Sequence, residues 1–216
     1  QTKSTLALTP DGNGGIYAAL KRDGIIDEFE RNGVEYVHMH SVDNCLVRMA
    51  DPVFVGLCLE RNVDCASKSV PKVDPKESVG ILSRRNSDQR LLVAEYSELD
   101  PKLADAIDER GELLFNTANI AIHLFTTQFL RKVCFDPDFA LPYHVAKKKI
   151  PSIDMATGEA LSTPPVGIKL EAFIFDVLEL AANPIILQVD RSAEFAPLKN
   201  APGSAPEDTP EACCNR

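Results

Sequence analysis

The chain has 216 residues, 44% hydrophobic and 25% charged, and 23 Lys and Arg against 32 Asp and Glu leave a formal net charge of −9. That balance predicts a soluble globular protein long enough for a real core, in one large domain or two small ones. It excludes a collagen-like or wholly disordered chain, a general nucleic-acid binder, which needs a net basic face, and a membrane-spanning protein, since no apolar run reaches about 18 residues.

Strand-like and helical patterns alternate along the chain. Thr5 to Leu8 reads as a short strand, followed by Pro10 and the glycine cluster Asp11-Gly12-Asn13-Gly14-Gly15. Ile16 to Lys21 and Ile25 to Arg31 read as helices separated by the breaker Asp23-Gly24. Val34 to His40 is β-rich and runs into Ser41-Val42-Asp43-Asn44. Asp51-Pro52 opens a helix to about Arg61, with Asp51 as N-cap and Pro52 at the first helical position. Val63 to Val70, Val79 to Ser83 and Leu91 to Tyr96 are strand candidates, the last two joined by a polar hairpin turn. Leu99 to Glu109 is expected helical, Leu113 to Ile120 extended, Thr126 to Cys134 helical, Phe139 to Lys147 a further helix and Ile150 to Ile153 a short strand. Leu170, Phe173, Ile174, Val177, Leu178 and Ala181 follow i, i+3, i+4, i+7 spacing, which predicts a helix over 168–181. Ile185 to Val189 is a strand. From Ala201 the composition turns to Ala, Pro, Gly, Glu and Ser, expected as a linker or disordered tail. The whole reads as an α/β layer protein with a mixed sheet.

None of the six cysteines forms a C-x-x-C pair, so zinc-ribbon and thioredoxin-like chemistry have no support. Cys45, Cys58, Cys65 and Cys134 sit singly in apolar stretches as small hydrophobes, and a reduced, cytosolic setting is expected. The opening Gln1-Thr2-Lys3-Ser4 has neither an initiator Met nor the apolar stretch of a signal peptide, so the chain need not begin where its gene begins.

Several constellations can carry chemistry. Three glycines in five residues let backbone approach a ligand closely, although a tight turn with Asp11 capping the following helix accounts for them more simply. Asp43 falls at the carboxyl end of a candidate strand, where α/β sheets place ligands; it suits Mg²⁺ bridging phosphates, or an Asx-turn with Asn44. Glu95-Tyr96 ends another apolar strand, and Glu95 with Asn119 offers acceptors and a donor to sugar hydroxyls, or satisfies a turn. Phe173 lies on the core stripe, whereas Phe175 points off it and can line a pocket. Lys169 and Lys199 stand beside Gly167 and Pro197 as single point charges suited to phosphate, or solvated. His38, His40, His123 and His144 read as structural, and no nucleophile elbow is present.

Taken in order, the segments Pro10 to Tyr17, Ser41 to Asn44 with Ala50-Asp51-Pro52, Val93 to Glu98, Leu114 to Ile120, Gly167 to Glu171 and Ala196 to Asn200 resemble the eukaryotic UDP-N-acetylglucosamine pyrophosphorylases. The resemblance runs from about Thr9 to Asn200. It implies a Rossmann-like nucleotidyltransferase core, a central nucleotidyltransferase and sugar-binding domain over 1–200 with a flexible tail at 201–216. It also implies Mg²⁺, a cytosolic setting, and reversible conversion of UTP and N-acetylglucosamine 1-phosphate to UDP-N-acetylglucosamine and pyrophosphate. Gly12 then matches a nucleotide contact made through backbone and Asn13 a contact to nucleotide and sugar, Asp43 the residue facing phosphates and metal, and Gly80, Glu95 and Asn119 sugar contacts, with Tyr96 beside them. Phe173 and Phe175 match the wall around the acetamido group, Lys169 the lysine near the UTP phosphates, and Lys199 that near the sugar phosphate. Ala118 stands where the family has glycine, which puts the backbone approach beside Asn119 in question if φ must be positive. The family's loop Leu-x-x-Gly-Gly-x-Gly-Thr-Arg-Leu-Gly and its C-terminal portion have no counterpart in these residues, so this stretch alone is expected to be inactive or weak. The alternative is a non-catalytic product that binds a UDP-sugar or a protein partner, and a lesser variant exchanges the sugar for its galactose epimer.

Overall fold

A computed structural model describes residues 3–5, 8, 10–96 and 98–215; the strand expected at 5–8 falls largely outside them. The chain builds helices α1 (Ile16–Arg22) and α2 (Ile25–Arg31), strand β1 (Tyr36–His40), α3 (Pro52–Arg61), β2 (Cys65–Pro71), β3 (Ile81–Arg84) and β4 (Leu91–Ala94). It continues through α4 (Pro101–Ala104), β5 (Thr117–Thr126), α5 (Thr127–Phe135), β6 (His144–Lys149), β7 (Val166–Glu171), a 3-10 helix (Ile174–Leu180), β8 (Pro184–Gln188), α6 (Arg191–Glu194) and α7 (Pro210–Cys214).

A six-stranded mixed sheet runs β4-β3-β5-β2-β8, with β1 on β5 beyond its junction with β3. Strands β1 and β2 lie antiparallel to β5, and β2 lies parallel to β8, so β1, β2 and β8 point the same way. Side chains alternate across the sheet and feed two cores. On one face Met39, Cys65, Leu82 and Phe125 pack with Tyr17, Ile26, Phe129, Leu130 and the 3-10 residues Val177 and Leu178. On the other, Ala66, Ile120, Ile122 and Leu124 pack with Phe54 and Cys58 of α3 and with Phe195. Helices on both faces bury β2 almost throughout, as a doubly covered sheet requires.

Local chemistry explains the elements that match expectation. The Asp51 carboxylate accepts from Val53 N at 3.0 Å, with Pro52 at N1, so α3 starts where its capping sequence puts it. Thr126 caps α5 by accepting from Phe129 N at 3.1 Å. The β3–β4 hairpin forms around the polar turn.

Four expectations fail, each for an identifiable reason. The helix over 168–181 is instead β7 followed by the 3-10 helix. Val166, Ile168 and Leu170 alternate with polar or small residues; β-branching at 166 and 168 favours a strand and Gly167 disfavours a helix, and the segment pairs with β6 in a two-stranded ribbon. Only the end of the helical stripe is used, and Asp176 caps it by accepting from Phe173 N at 3.2 Å. The helix over 139–147 is replaced by β6, the other half of that ribbon. Residues 99–109 keep one turn, α4, capped by Asp100 and ended at Asp105. The tail from 201 folds back: Lys199 N and Asn200 N donate to Asp208 O at 2.9 and 2.8 Å, Thr209 is buried and caps α7, and Cys213 Sγ meets Pro197 O at 3.3 Å. Cys58, Cys65 and Cys134 are buried as expected, whereas Cys45 is exposed. Among the described residues no helix is long and apolar enough to cross a membrane.

Candidate functional site

The carboxyl ends of β1, β2 and β8 meet the amino end of β5, and Gly80 and Glu95 flank the same edge because Ile81 pairs with both Ala94 and Ala118. Six of the residues singled out from sequence gather here: Asp43, Gly80, Glu95, Tyr96, Asn119 and Lys199. This is the end at which α/β sheets bind ligands, because diverging loops leave a crevice there. A cleft of about 1010 Å³ opens beside it, lined by Tyr96, Lys76, Glu77, Arg191, Phe195 and Lys199 among others.

Asp43 is placed by its neighbours. Ser41 Oγ donates to Asp43 Oδ1, Leu198 N donates to Asp43 O at 2.8 Å, and Lys199 Nζ lies 3.7 Å from Asp43 Oδ2. Asn44, buried beside it, ties the strand exit to the 194–197 segment: its Nδ2 donates to Glu194 O at 2.8 Å and its Oδ1 accepts from Ala196 N at 2.9 Å. The Asp43 carboxylate is 24% exposed and the Lys199 side chain 55%, and Lys199 lines the cleft. Arg191, by contrast, is held by Glu77 at 2.5 Å.

The sugar-side candidates also converge. Asn119 N donates to Gly80 O at 2.8 Å, and Asn119 Oδ1 accepts from Ala121 N at 3.1 Å, supporting Ala121 at φ +52°. Ala118 sits in register in β5 opposite Val70 and Ile81, an extended position that needs no glycine. A Cβ at Gly80 would press on Val93 and on Glu95 Oε1 at 3.0 Å. Burial pushes the Glu95 carboxyl above the usual range, offset in part by His144.

A second group assembles around β7. Ala172 N donates to Asp11 O at 2.6 Å and Gly14 N to Ala172 O at 2.9 Å, so the glycine loop lies against the β7 exit. Asn13 Oδ1 accepts from Ile174 N at 2.8 Å, and Tyr17 OH donates to Ile174 O at 2.6 Å. Gly12 has φ +96°, and a Cβ there would run into the Ala172 carbonyl. Gly12→Ala is therefore expected to cost about 2 kcal/mol or more, whereas Gly24→Ala, at φ +69° in open space, costs about 1 kcal/mol of strain. Equal losses of thermal stability in the two variants would contradict this account. Lys169 Nζ lies 2.7 Å from Glu171 Oε1 and holds that carboxylate below its usual range, so the structure gives this lysine an acidic neighbour on its own strand.

The two phenylalanines exchange the roles expected of them. Phe175 is buried in the core and Phe173 only half-buried, because the 3-10 turn replaces the helical stripe. Their rings stack at 5.0 Å, and Phe173 also packs on the His144 ring at 4.9 Å. His144 is not an isolated side chain: Nδ1 lies 2.8 Å from Glu98 Oε1 and Nε2 3.1 Å from Asp176 Oδ2. Only the fold makes this contact, since 98, 144 and 176 share no spacing.

Sequence reading also missed Lys68. Its side chain is 0% exposed at the centre of the sheet, 2.5 Å from both Asp51 Oδ2 and Glu194 Oε2. A lysine inside Cys65–Pro71 carried no motif, although a lone charge in a buried strand demands a partner. His123, likewise buried, meets Ser67 Oγ at 2.8 Å and is pushed by burial down to about 4, so it stays neutral.

A mixed sheet covered on both faces, with a polar cleft at the carboxyl ends of its parallel strands, is a Rossmann-like α/β arrangement with its ligand-binding end formed. The chain belongs to the UTP–glucose-1-phosphate uridylyltransferase family, whose model matches residues 1–203. It is 45% identical over 210 residues to UDP-N-acetylhexosamine pyrophosphorylase-like protein 1 of Xenopus tropicalis, covering 97% of this chain and 40% of that one. It is 44% identical over 209 residues to the UDP-N-acetylglucosamine pyrophosphorylase of Saccharomyces cerevisiae, covering 95% and 43%. The crystal structure of the uridine diphosphate N-acetylglucosamine pyrophosphorylase from Trypanosoma brucei in complex with inhibitor superposes with TM-score 0.80 at 35% identity, covering 96% of this chain and 41% of that one. The chain thus spans less than half the length of these relatives.

Proposed function

We propose that this chain forms the central, sugar-binding portion of a uridylyltransferase that joins UTP and N-acetylglucosamine 1-phosphate into UDP-N-acetylglucosamine, releasing pyrophosphate. The observation that carries the reading is the Asp43–Lys199 pair, 3.7 Å apart at the carboxyl end of β1 and beside the cleft. In-line attack of a sugar phosphate on the α-phosphorus of UTP needs no protein nucleophile; positioning and charge neutralisation are the demands. In this reading Lys199 neutralises the attacking phosphate, and Glu95, Asn119 and the Gly80 backbone orient the sugar. Tyr96 borders them, Phe173 with Phe175 walls the acetamido group, Gly12 and Asn13 approach the nucleotide, and Lys169 serves the UTP phosphates.

Asp43 fits a Mg²⁺ ion. Its Oδ1 accepts from the neutral hydroxyl of Ser41, its Oδ2 is beyond hydrogen-bond distance of Lys199, and no group of three or more His, Cys, Asp or Glu among the described residues offers an all-protein cage. That donor set suits a hard cation taking its other ligands from phosphates and water. When bound, the ion would neutralise phosphate charge; Asp43 would hold it and keep Lys199 aimed into the cleft. A cytosolic setting belongs to the same reading, supported by the buried thiols Cys58, Cys65 and Cys134.

The test is pyrophosphate release from UTP by the full-length protein, with N-acetylglucosamine 1-phosphate, its galactose epimer and glucose 1-phosphate compared. Release with the first is expected, lost on Asp43→Asn and absent from the 216 residues expressed alone. Binding of UDP-N-acetylglucosamine without any turnover by the full-length protein would replace this reading with a non-catalytic one.

A further inference from the structure

We propose that His144 is a positioning residue for the sugar-phosphate end of the site, its imidazolium clamping Glu98 to Asp176 and so holding the Phe173–Phe175 wall. The inference rests on the preceding reading of that wall and of Glu95 as sugar contacts. Both ring nitrogens of His144 face carboxylates: Nδ1 meets Glu98 Oε1 at 2.8 Å, and Nε2 meets Asp176 Oδ1 and Oδ2 at 3.2 and 3.1 Å. A neutral imidazole carries one N–H and would turn a lone pair on one of the two acids; only the cation donates to both. The clamp joins the segment after β4, the start of β6 and the 3-10 helix. Asp176 passes the constraint on by accepting from Phe173 N at 3.2 Å, and the next residue's N–H reaches Asn13 Oδ1 at 2.8 Å. The Phe173 ring itself packs tilted against the imidazole, 4.9 Å between ring centres.

The charges around His144 are accounted for element by element. Beyond β4 stand Glu95 and Glu98; on β7, Glu171 is paired with Lys169 and Lys148; on the 3-10 helix, Asp176 faces the ring while Glu179 is taken by Arg85. Burial disfavours the His144 cation, yet the hydrogen bond to Glu98 and the charges of Asp176 and Glu98 outweigh it and raise the group above its ordinary 6.5. A raised value means the clamp contributes fully below the ordinary value and is lost as pH rises through the raised one.

The experiment compares the full-length protein with His144→Gln, which can hydrogen-bond but not carry the charge. KM for the sugar phosphate and Tm are measured at about pH 6 and at a pH above the His144 midpoint, which NMR of the parent locates. The ratio of variant to parent KM cancels the ionisation of the substrate itself. It is expected to be about fivefold at the lower pH and near unity at the higher. The Tm difference should follow the same course. A ratio and a Tm difference equal at both pH values would overturn the clamp. If the parent turns over no sugar phosphate, the substrate reading fails and the Tm comparison alone decides the clamp. Should the variant fail to fold, Glu98→Gln serves: the His144 titration followed by NMR is expected to fall toward 6.5, and an unmoved midpoint rejects the proposal.

Discussion

Replacing Lys199 with alanine in the full-length protein is expected to lower the rate of pyrophosphate release about a hundredfold or more while leaving Tm nearly unchanged. The two effects separate because the backbone at 198–200 is fixed without the side chain. Leu198 N donates to Asp43 O at 2.8 Å, and Lys199 N and Asn200 N both donate to Asp208 O. The side chain itself is 55% exposed and its one close carboxylate is 3.7 Å away, so the pair contributes at most about 1 kcal/mol to folding. In the proposed reaction the same ammonium faces charge that develops only as the phosphates come together, inside a cleft that concentrates its field. Lys199→Arg keeps the charge on a larger planar head and is expected to recover part of the rate. A loss under about tenfold, or a Tm fall matching the rate loss, would assign Lys199 to structure instead.

What could be read from sequence follows from the range of the interactions that decide each feature. The α3 start at Asp51-Pro52, the Asp23-Gly24 break and the β3–β4 hairpin rest on neighbours within a few residues, and all three are found. The β6–β7 ribbon was missed because its partners lie across a loop, and the stripe from Leu170 to Ala181 satisfies helical spacing without being a helix. Ordered motifs point to Asp43, Glu95, Asn119 and Lys199, the family resemblance adds Gly80, and the strand topology gathers these at one sheet edge. His144 and Lys68 carried no such signal: each draws its meaning from carboxylates remote in sequence. Gly12 was read for ligand approach, and in the fold its missing Cβ also lets the loop lie on the Ala172 backbone.

The largest expected loss of stability is at Lys68. Its ammonium lies 2.5 Å from both Asp51 and Glu194 and 5.2 Å from the centre of the Phe54 ring, with no exposed surface. Burial works against the Asp51 carboxylate, but the lysine and the α3 backbone N–H groups hold it below its usual range. Lys68→Met fills the same space and removes the charge, leaving two carboxylates less than a tenth exposed, with Arg48 only at 3.9 Å from one of them. Breaking a buried network in this way costs about 3–5 kcal/mol. The loss should depend on pH with a definite sign. Without the lysine the Asp51 carboxyl keeps the burial that raises it and loses the ammonium that lowers it, so the penalty is full near neutrality and shrinks as pH falls and the carboxyl takes up its proton. Denaturant unfolding of Lys68→Met at several pH values measures this directly, and a pH-independent loss would mean that packing rather than charge is at stake. Adding Asp51→Asn and Glu194→Gln should recover much of the stability, because an uncharged cluster no longer needs the cation. Function should not recover with it to the same extent. Glu194 O receives Asn44 Nδ2 next to Asp43, and Lys199 follows five residues after Glu194, so a cluster with altered spacing moves both halves of the pair that the proposed reaction depends on. A triple variant with parental stability and parental rate would show that the buried charges have no bearing on the reaction.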